Sequence, residues 1–182
     1  MEHRKENREK IQRASRRLRY LLTAAICLMP VINAIFWLNM NHMPDLVLKR
    51  TIPFAVTMPI PLSSLVLSFL VTMLPTGVTM VGAYYLQRLF LLYEQGQIFL
   101  LDNVRCFKKL SRVLIWSFVA DIVSRSLLSI VLSLPNPPGQ RIVTVDLSSS
   151  DLTILLLGGI LSVISWVMEE GRTLQEEQDL TV

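Results

Sequence analysis

Cysteine and histidine are nearly missing from this chain, with two of each in 182 residues. Cys27 falls in an apolar stretch and Cys106 in a basic one, so no disulfide is expected between them. No Cys-x-x-Cys or Cys/His cluster suggests a metal site. His3 lies in a charged run and His42 stands apart from any base or nucleophile partner. There is no His-Glu-x-x-His pair and no phosphate-cradling glycine loop. The expectation is a protein that is not an enzyme, with no cofactor and no metal. Met40, His42 and Met43 do form a soft-ligand cluster of the kind Cu(I) favours, against which stands the reading of chance spacing near an aromatic belt.

Charge is also missing over long stretches. Tyr20 to Asn39 and Leu62 to Gln87 contain none. Residues 1–19 instead hold eight of the 18 Lys and Arg, and residues 169–182 hold Glu169, Glu170, Glu176, Glu177 and Asp179. Hydrophobic residues make up 52% of the chain and its mean hydropathy is +0.47. A soluble core has no need of that segregation, whereas a membrane body with wet ends does.

A spanning helix needs about 20 apolar residues, because each rises ~1.5 Å across a hydrocarbon layer of ~30 Å. Four segments qualify: 20–39, 62–86, 110–134 and 152–168. The first is too long for a signal peptide and lacks a small-residue cleavage site. Pro30 and Pro75 lie inside spans, where membrane helices tolerate them. The second span continues as a helix towards Gly96, and the fourth, introduced by Ser148-Ser149-Ser150-Asp151 as an N-cap run, continues into the tail. The domain reading is a basic amphipathic segment over 1–19, a four-transmembrane-helix domain over 20–168 and an acidic tail over 169–182. The fold class is all-α membrane protein, a four-helix bundle. Residues 45–52 and 141–147 have strand character and can pair as a short external β-ribbon.

Lys and Arg in the flanks set orientation. Thirteen lie on the side of the N-terminus, the 87–111 loop and the C-terminus, against three in the opposite loops. Both ends are expected in the cytoplasm.

Two stretches carry a family resemblance. One is Arg88-Leu89-Phe90 through Gly96-Gln97-Ile98-Phe99 and Asn103-Val104-Arg105. The other is the end, Gly171-Arg172-Thr173-Leu174-Gln175-Glu176-Glu177-Gln178-Asp179-Leu180-Thr181-Val182. Together they resemble the four-pass bacterial membrane proteins grouped as domain of unknown function 2975, over roughly 62–182. Leu100 departs from the polar helix cap expected there, leaving Asp102 to cap. The resemblance implies four membrane helices, a place in the bacterial cytoplasmic (inner) membrane and no established activity. Members of such families often accompany small helix-turn-helix regulators, which suggests a regulatory role.

Asp121 and Arg125 are the sharpest candidate site. Four residues apart on the third span, they share a face, with Asp121 ~16 Å past Leu110 and so near mid-depth. Charges at that depth face a bundle interior or a cavity. The pair reads either as a proton, ion or ligand step or as a structural ion pair with Ser117, Ser124 and Thr79 as hydrogen-bond partners. Gly158, Gly159, Ser162 and Ser165 form a small-residue stripe for helix packing, within the chain or between copies. Ile11, Ala14 and Leu18 make the basic N-terminus an amphipathic helix on the inner leaflet, drawn to anionic lipid. Direct nucleic-acid binding is not expected, since three acids interrupt the run and no reading motif is present. Residues 97–109 read as a second amphipathic helix. Its Arg105, Lys108 and Lys109, with Arg88, face the acidic tail with Glu176, Glu177 and Asp179. These groups form either an intramolecular clasp or a docking surface for a soluble cytoplasmic regulator. Two functions follow: a regulatory or anchoring membrane component acting through these surfaces, or a transporter or channel subunit using the Asp121/Arg125 face, which requires a homo-oligomer.

Overall fold

The computed structural model describes residues 2–44, 52, 56–97, 101–137 and 139–180, with 2–8 and 174–180 described by their backbone. In chain order the elements are helix α1 (Glu2–Leu38), a 3-10 turn (Met40–His42), and helices α2 (Leu62–Glu94), α3 (Leu101–Ser133) and α4 (Ser149–Leu180). No strand occurs among the described residues. Each helix contains a stretch long and apolar enough to cross a membrane.

All four helices outrun those stretches. At 37, 33, 33 and 32 residues they are on the order of 50 Å long, well beyond a ~30 Å hydrocarbon layer. The expected leaflet helix of 1–19 and the expected helix of 97–109 are therefore not separate elements. Residues 2–19 run unbroken into the first span and 101–109 into the third, because neither Gly nor Pro falls between Glu2 and Met29 or between Leu101 and Ser133; 98–100 lie outside the described residues. Asp102 sits in the first turn of α3 rather than ahead of it; Leu100 lies outside the described residues.

The helices pack in chain order: α1 on α2, α2 on α3, α3 on α4. Among the described residues no extended backbone approach joins α1 to α3 or α4, or α2 to α4. The four transmembrane helices expected from the sequence are present and pack as an open row. Much of what is buried is small and polar, including Ser64, Ser68 and Gly82 on α2 and Ser111, Ser117, Ser124, Ser129 and Ser133 on α3. Leucines and valines such as Leu70, Leu156 and Val167 point outward. Lipid tails are as apolar as leucine, so helices in a bilayer gain by close approach and hydrogen bonding rather than by hiding hydrocarbon.

One end of the row does hold a compact apolar cluster. Trp37, Met40, Ile52, Ile60, Leu65 and Leu132 are buried together, with Phe36, Met43 and Phe69 packed against them. Met40 and Met43 are thereby used as core side chains, while His42 is exposed. Two asparagines tie the loops over this cluster. Asn41 gives its amide to the Ile60 carbonyl and accepts the Ile60 N–H, at 3.0 and 2.9 Å. Asn136 accepts both the N–H and the hydroxyl of Thr57, at 3.1 and 2.7 Å.

Of the expected ribbon, the first strand, 45–52, lies outside the described residues except for Ile52, and the second, 141–147, has no strand partner among the described residues. Two serines of α3 take the place of one. Ser133 Oγ accepts the Ile142 N–H and donates to the Ile142 carbonyl, each at 3.2 Å, and Ser129 Oγ accepts the Thr144 N–H at 3.0 Å. The spacing fits because one helical turn rises ~5.4 Å and two extended residues span ~6.6 Å. The segment therefore runs back down α3, antiparallel to it.

Pro75 lies in the middle of α2 and has no N–H, so the carbonyl four residues earlier, on Val71, loses its donor. Ser124 of α3 donates its hydroxyl to that carbonyl at 3.2 Å. The proline and the serine thus form one joint between two helices. Ser124→Ala should destabilise the protein by about 1 kcal/mol in detergent-based unfolding titrations. Most of that loss should vanish in a Pro75→Ala background, where residue 75 regains its N–H; an equal loss in both backgrounds would show that the hydroxyl does not serve this carbonyl.

Candidate functional site

Helix α4 begins with a reciprocal cap. Ser148 Oγ accepts the Ser150 N–H at 3.1 Å, and Asp151 Oδ2 reaches back to the Ser148 N–H at 2.8 Å. The other carboxylate oxygen of Asp151 takes the Arg125 guanidinium at 2.5 Å. Asp151 is therefore both cap and counter-ion, and its side chain is 4% exposed. Arg125 also points its Nε at the Asp121 backbone carbonyl, 3.3 Å away. The pairing expected between the side chains of Asp121 and Arg125 is replaced by Arg125–Asp151. The i, i+4 spacing made the local pair visible in the sequence, but not that the antiparallel return of the chain brings Asp151 beside Arg125.

Asp121 lines a groove with Met29, Ile32, Asn33 and Phe36 of α1 and Thr72, Pro75, Thr76 and Thr79 of α2. The groove is a wide-open one of about 540 Å³. Thr72 is its polar hub: its hydroxyl receives Asn33 Nδ2 at 3.1 Å and Trp37 Nε1 at 2.9 Å. Asn33, Trp37 and Thr72 were not singled out from the sequence; an asparagine in a charge-free span was the available signal. The hydroxyls expected to serve Asp121 go elsewhere: Ser117 to the Leu114 carbonyl, Ser124 to Val71 and Thr79 to Pro75.

The small-residue stripe divides in two. Gly158 lies against α3, where an added Cβ would meet Leu114 and Ile115 at 3.3 and 3.4 Å, and its carbonyl accepts the buried Ser111 hydroxyl at 2.8 Å. Ser165 is buried and Ser162 partly so. Gly159, one residue and ~100° further round, faces open space.

At the opposite end, charges stitch the helix extensions together. Arg16 and Arg19 of α1 reach Glu94 of α2 at 2.7 and 3.1 Å, and Gln87 donates to Thr23 at 2.7 Å. Lys108 of α3 meets Glu169 of α4 at 2.6 Å. Arg105 pairs with Asp102 at 3.3 Å, and Lys109 lies 5.1 Å from the centre of the Tyr85 ring. Tyr85, Arg88, Asp102, Arg105, Cys106 and Lys109 line a small cleft of about 130 Å³. The side chains of Glu176, Glu177 and Asp179 lie outside the described residues, although α4 carries their backbone. Of the expected contacts between basic helix and acidic tail, the described residues display Lys108–Glu169.

Four long apolar helices with charged ends define a multi-pass integral membrane protein. The family described as protein of unknown function (DUF2975) matches residues 54–182, and the chain belongs to it. No curated protein and no solved structure matches the chain.

Removing Asp151 would leave Arg125 without its counter-charge. Because that guanidinium side chain is 34% exposed, Asp151→Ala should cost about 2–3 kcal/mol, less than the ~3–5 kcal/mol of a fully buried pair. Unfolding titrations should show most of the loss recovered by adding Arg125→Leu. A cost of the same size from Asp121→Ala would mean that Arg125 depends on Asp121 instead.

Proposed function

We propose that this is a bacterial cytoplasmic-membrane protein, with both ends inside, that acts as a regulatory or anchoring component through its cytoplasmic surface. The observation that carries this reading is the continuation of all four helices past their apolar stretches at one end, where α1 is tied to α2 and α3 to α4 by ion pairs. That end holds 13 of the Lys and Arg outside the spans, against three at the other, which supports its cytoplasmic placement. Arg88, Arg105 and Lys109 line its cleft. Each basic group at that level attracts anionic lipid by about 1 kcal/mol, and the acidic end of α4 supplies the complementary face for a soluble cytoplasmic regulator. With no nucleophile–base pair in any segment, we read the chain as a non-enzyme that makes no direct contact with nucleic acid. Crosslinking in native membranes followed by mild-detergent purification should recover a stoichiometric soluble partner, lost when the chain is truncated after Gly171. Recovery of lipid and the protein alone would sink the proposal.

A second reading, a subunit of a transporter or channel, is favoured by the groove beside Asp121. An open row encloses no pathway by itself, so this role requires several copies. Proton or ion flux into vesicles containing the purified protein, abolished by Asp121→Asn, is its expected signature; a strictly monomeric protein in the bilayer would rule it out.

A further inference from the structure

We propose that the groove beside Asp121 binds a hydrophobic organic cation that carries N–H donors, an aryl- or alkylammonium, entering from the acyl layer. This goes beyond the cytoplasmic role above and does not depend on it.

Charge balance points to a cation. Around the middle of α3, Asp121, Arg125 and the α4 cap residue Asp151 set two carboxylates against one guanidinium, which bonds Asp151; Arg112 lies nine residues from Asp121, ~13 Å along the axis. The Asp121 carboxylate has no ion pair within 4 Å among the described residues, and the positive charge that acts on it, Arg125, is shared with Asp151. An ionised carboxylate twelve residues, or ~18 Å, from the end of α3 needs a counter-charge.

The hydrogen bonds of the groove point to donors on the ligand. The Thr76 hydroxyl gives its proton to the Thr72 carbonyl at 2.7 Å, and the Thr79 hydroxyl gives its proton to the Pro75 carbonyl at 2.9 Å. Thr72 donates within α2 and accepts from Asn33 and Trp37. Beside Asp121 these hydroxyls keep oxygen lone pairs but no free hydrogen, and the second N–H of the Asn33 amide is the wall's spare donor, so the wall is chiefly accepting. A ligand complementary to it brings donors and a positive charge.

Size and access point to an organic molecule. About 540 Å³ is within the ~300–1,000 Å³ typical of small-molecule sites. Met29, Ile32 and Phe36 supply an apolar wall, and an aromatic ring next to a cation adds attraction. The groove lies open at its side because α1 and α3 make no extended contact. An inorganic divalent ion is a poorer fit, since it would ask for six or more oxygen ligands and no group of three or more ligating side chains occurs among the described residues.

Ethidium, an aromatic monocation with two amino groups, is a suitable probe. With the full chain in nanodiscs of zwitterionic phosphatidylcholine, its fluorescence anisotropy should saturate at one site per chain. Decylammonium should displace it and decanol should not. Asp121→Asn should weaken binding about tenfold or more, and Asp121→Glu, which keeps the charge and controls for folding, should bind within a few-fold of the parent. Three results would overturn the proposal: no saturable binding above empty discs, equal binding by Asp121→Asn, or crosslinking of an Asp121→Cys variant to another protein's helix in native membranes, which would make the groove a helix-docking site.

Discussion

Hydroxyl groups on α3 that bond to backbone of neighbouring segments hold this row together. Ser124 reaches the Val71 carbonyl of α2, Ser111 the Gly158 carbonyl of α4, and Ser129 and Ser133 the returning chain at Thr144 and Ile142. In a bilayer the hydrophobic effect does not distinguish a helix neighbour from a lipid tail, so close approach of small groups and satisfied polar atoms must do so. α3 is the helix best equipped for this, and it is the one that touches both α2 and α4. α1 depends on a different set of contacts. It packs against α2 through Asn33, Trp37 and Thr72 near the apolar cluster and through Arg16 and Arg19 on Glu94 at the charged end. The family match covers residues 54–182, and so α2, α3 and α4 but not α1.

The spans were legible in the sequence because a charge-free run of about 20 residues matches the thickness of a bilayer and exceeds what a soluble core demands of one helix. Where those helices stop was harder to read. A basic or acidic tail looks separate from a neighbouring apolar run by composition, yet a helix is broken by backbone chemistry, and no Gly or Pro stands at residues 19–20 or 109–110. The 141–147 segment is harder to read for a related reason: its alternation fits an extended backbone, but the Ile142 and Thr144 N–H groups go to side-chain hydroxyls on a helix. Strand propensity reports shape and says nothing of the partner.

The site was legible residue by residue and less so as a pairing. Asp121 and Arg125 stand out as charges in an apolar helix, and their spacing advertises a local bond. The closer counter-ion for Arg125 came from Asp151, which had an adequate reason of its own to be where it is, at the cap of α4. Two functions on one carboxylate are invisible to a reading that assigns one role per residue. The glycine pair repeats the lesson on a smaller scale: Gly158 and Gly159 are chemically identical, and the ~100° between adjacent residues sends one into an interface and the other out of it.

The two ion pairs between α3 and α4 turn that hairpin into a strut of fixed length. Lys108 and Arg125 stand 17 residues apart on one helix, and Glu169 and Asp151 stand 18 apart on the other. Both intervals measure ~26 Å along the axis, close to the thickness of a hydrocarbon layer. A slip of one turn between the helices would break both rungs together, so the hairpin resists sliding in either direction. A bilayer much thicker or thinner than this gauge must deform around the strut or tilt it whole.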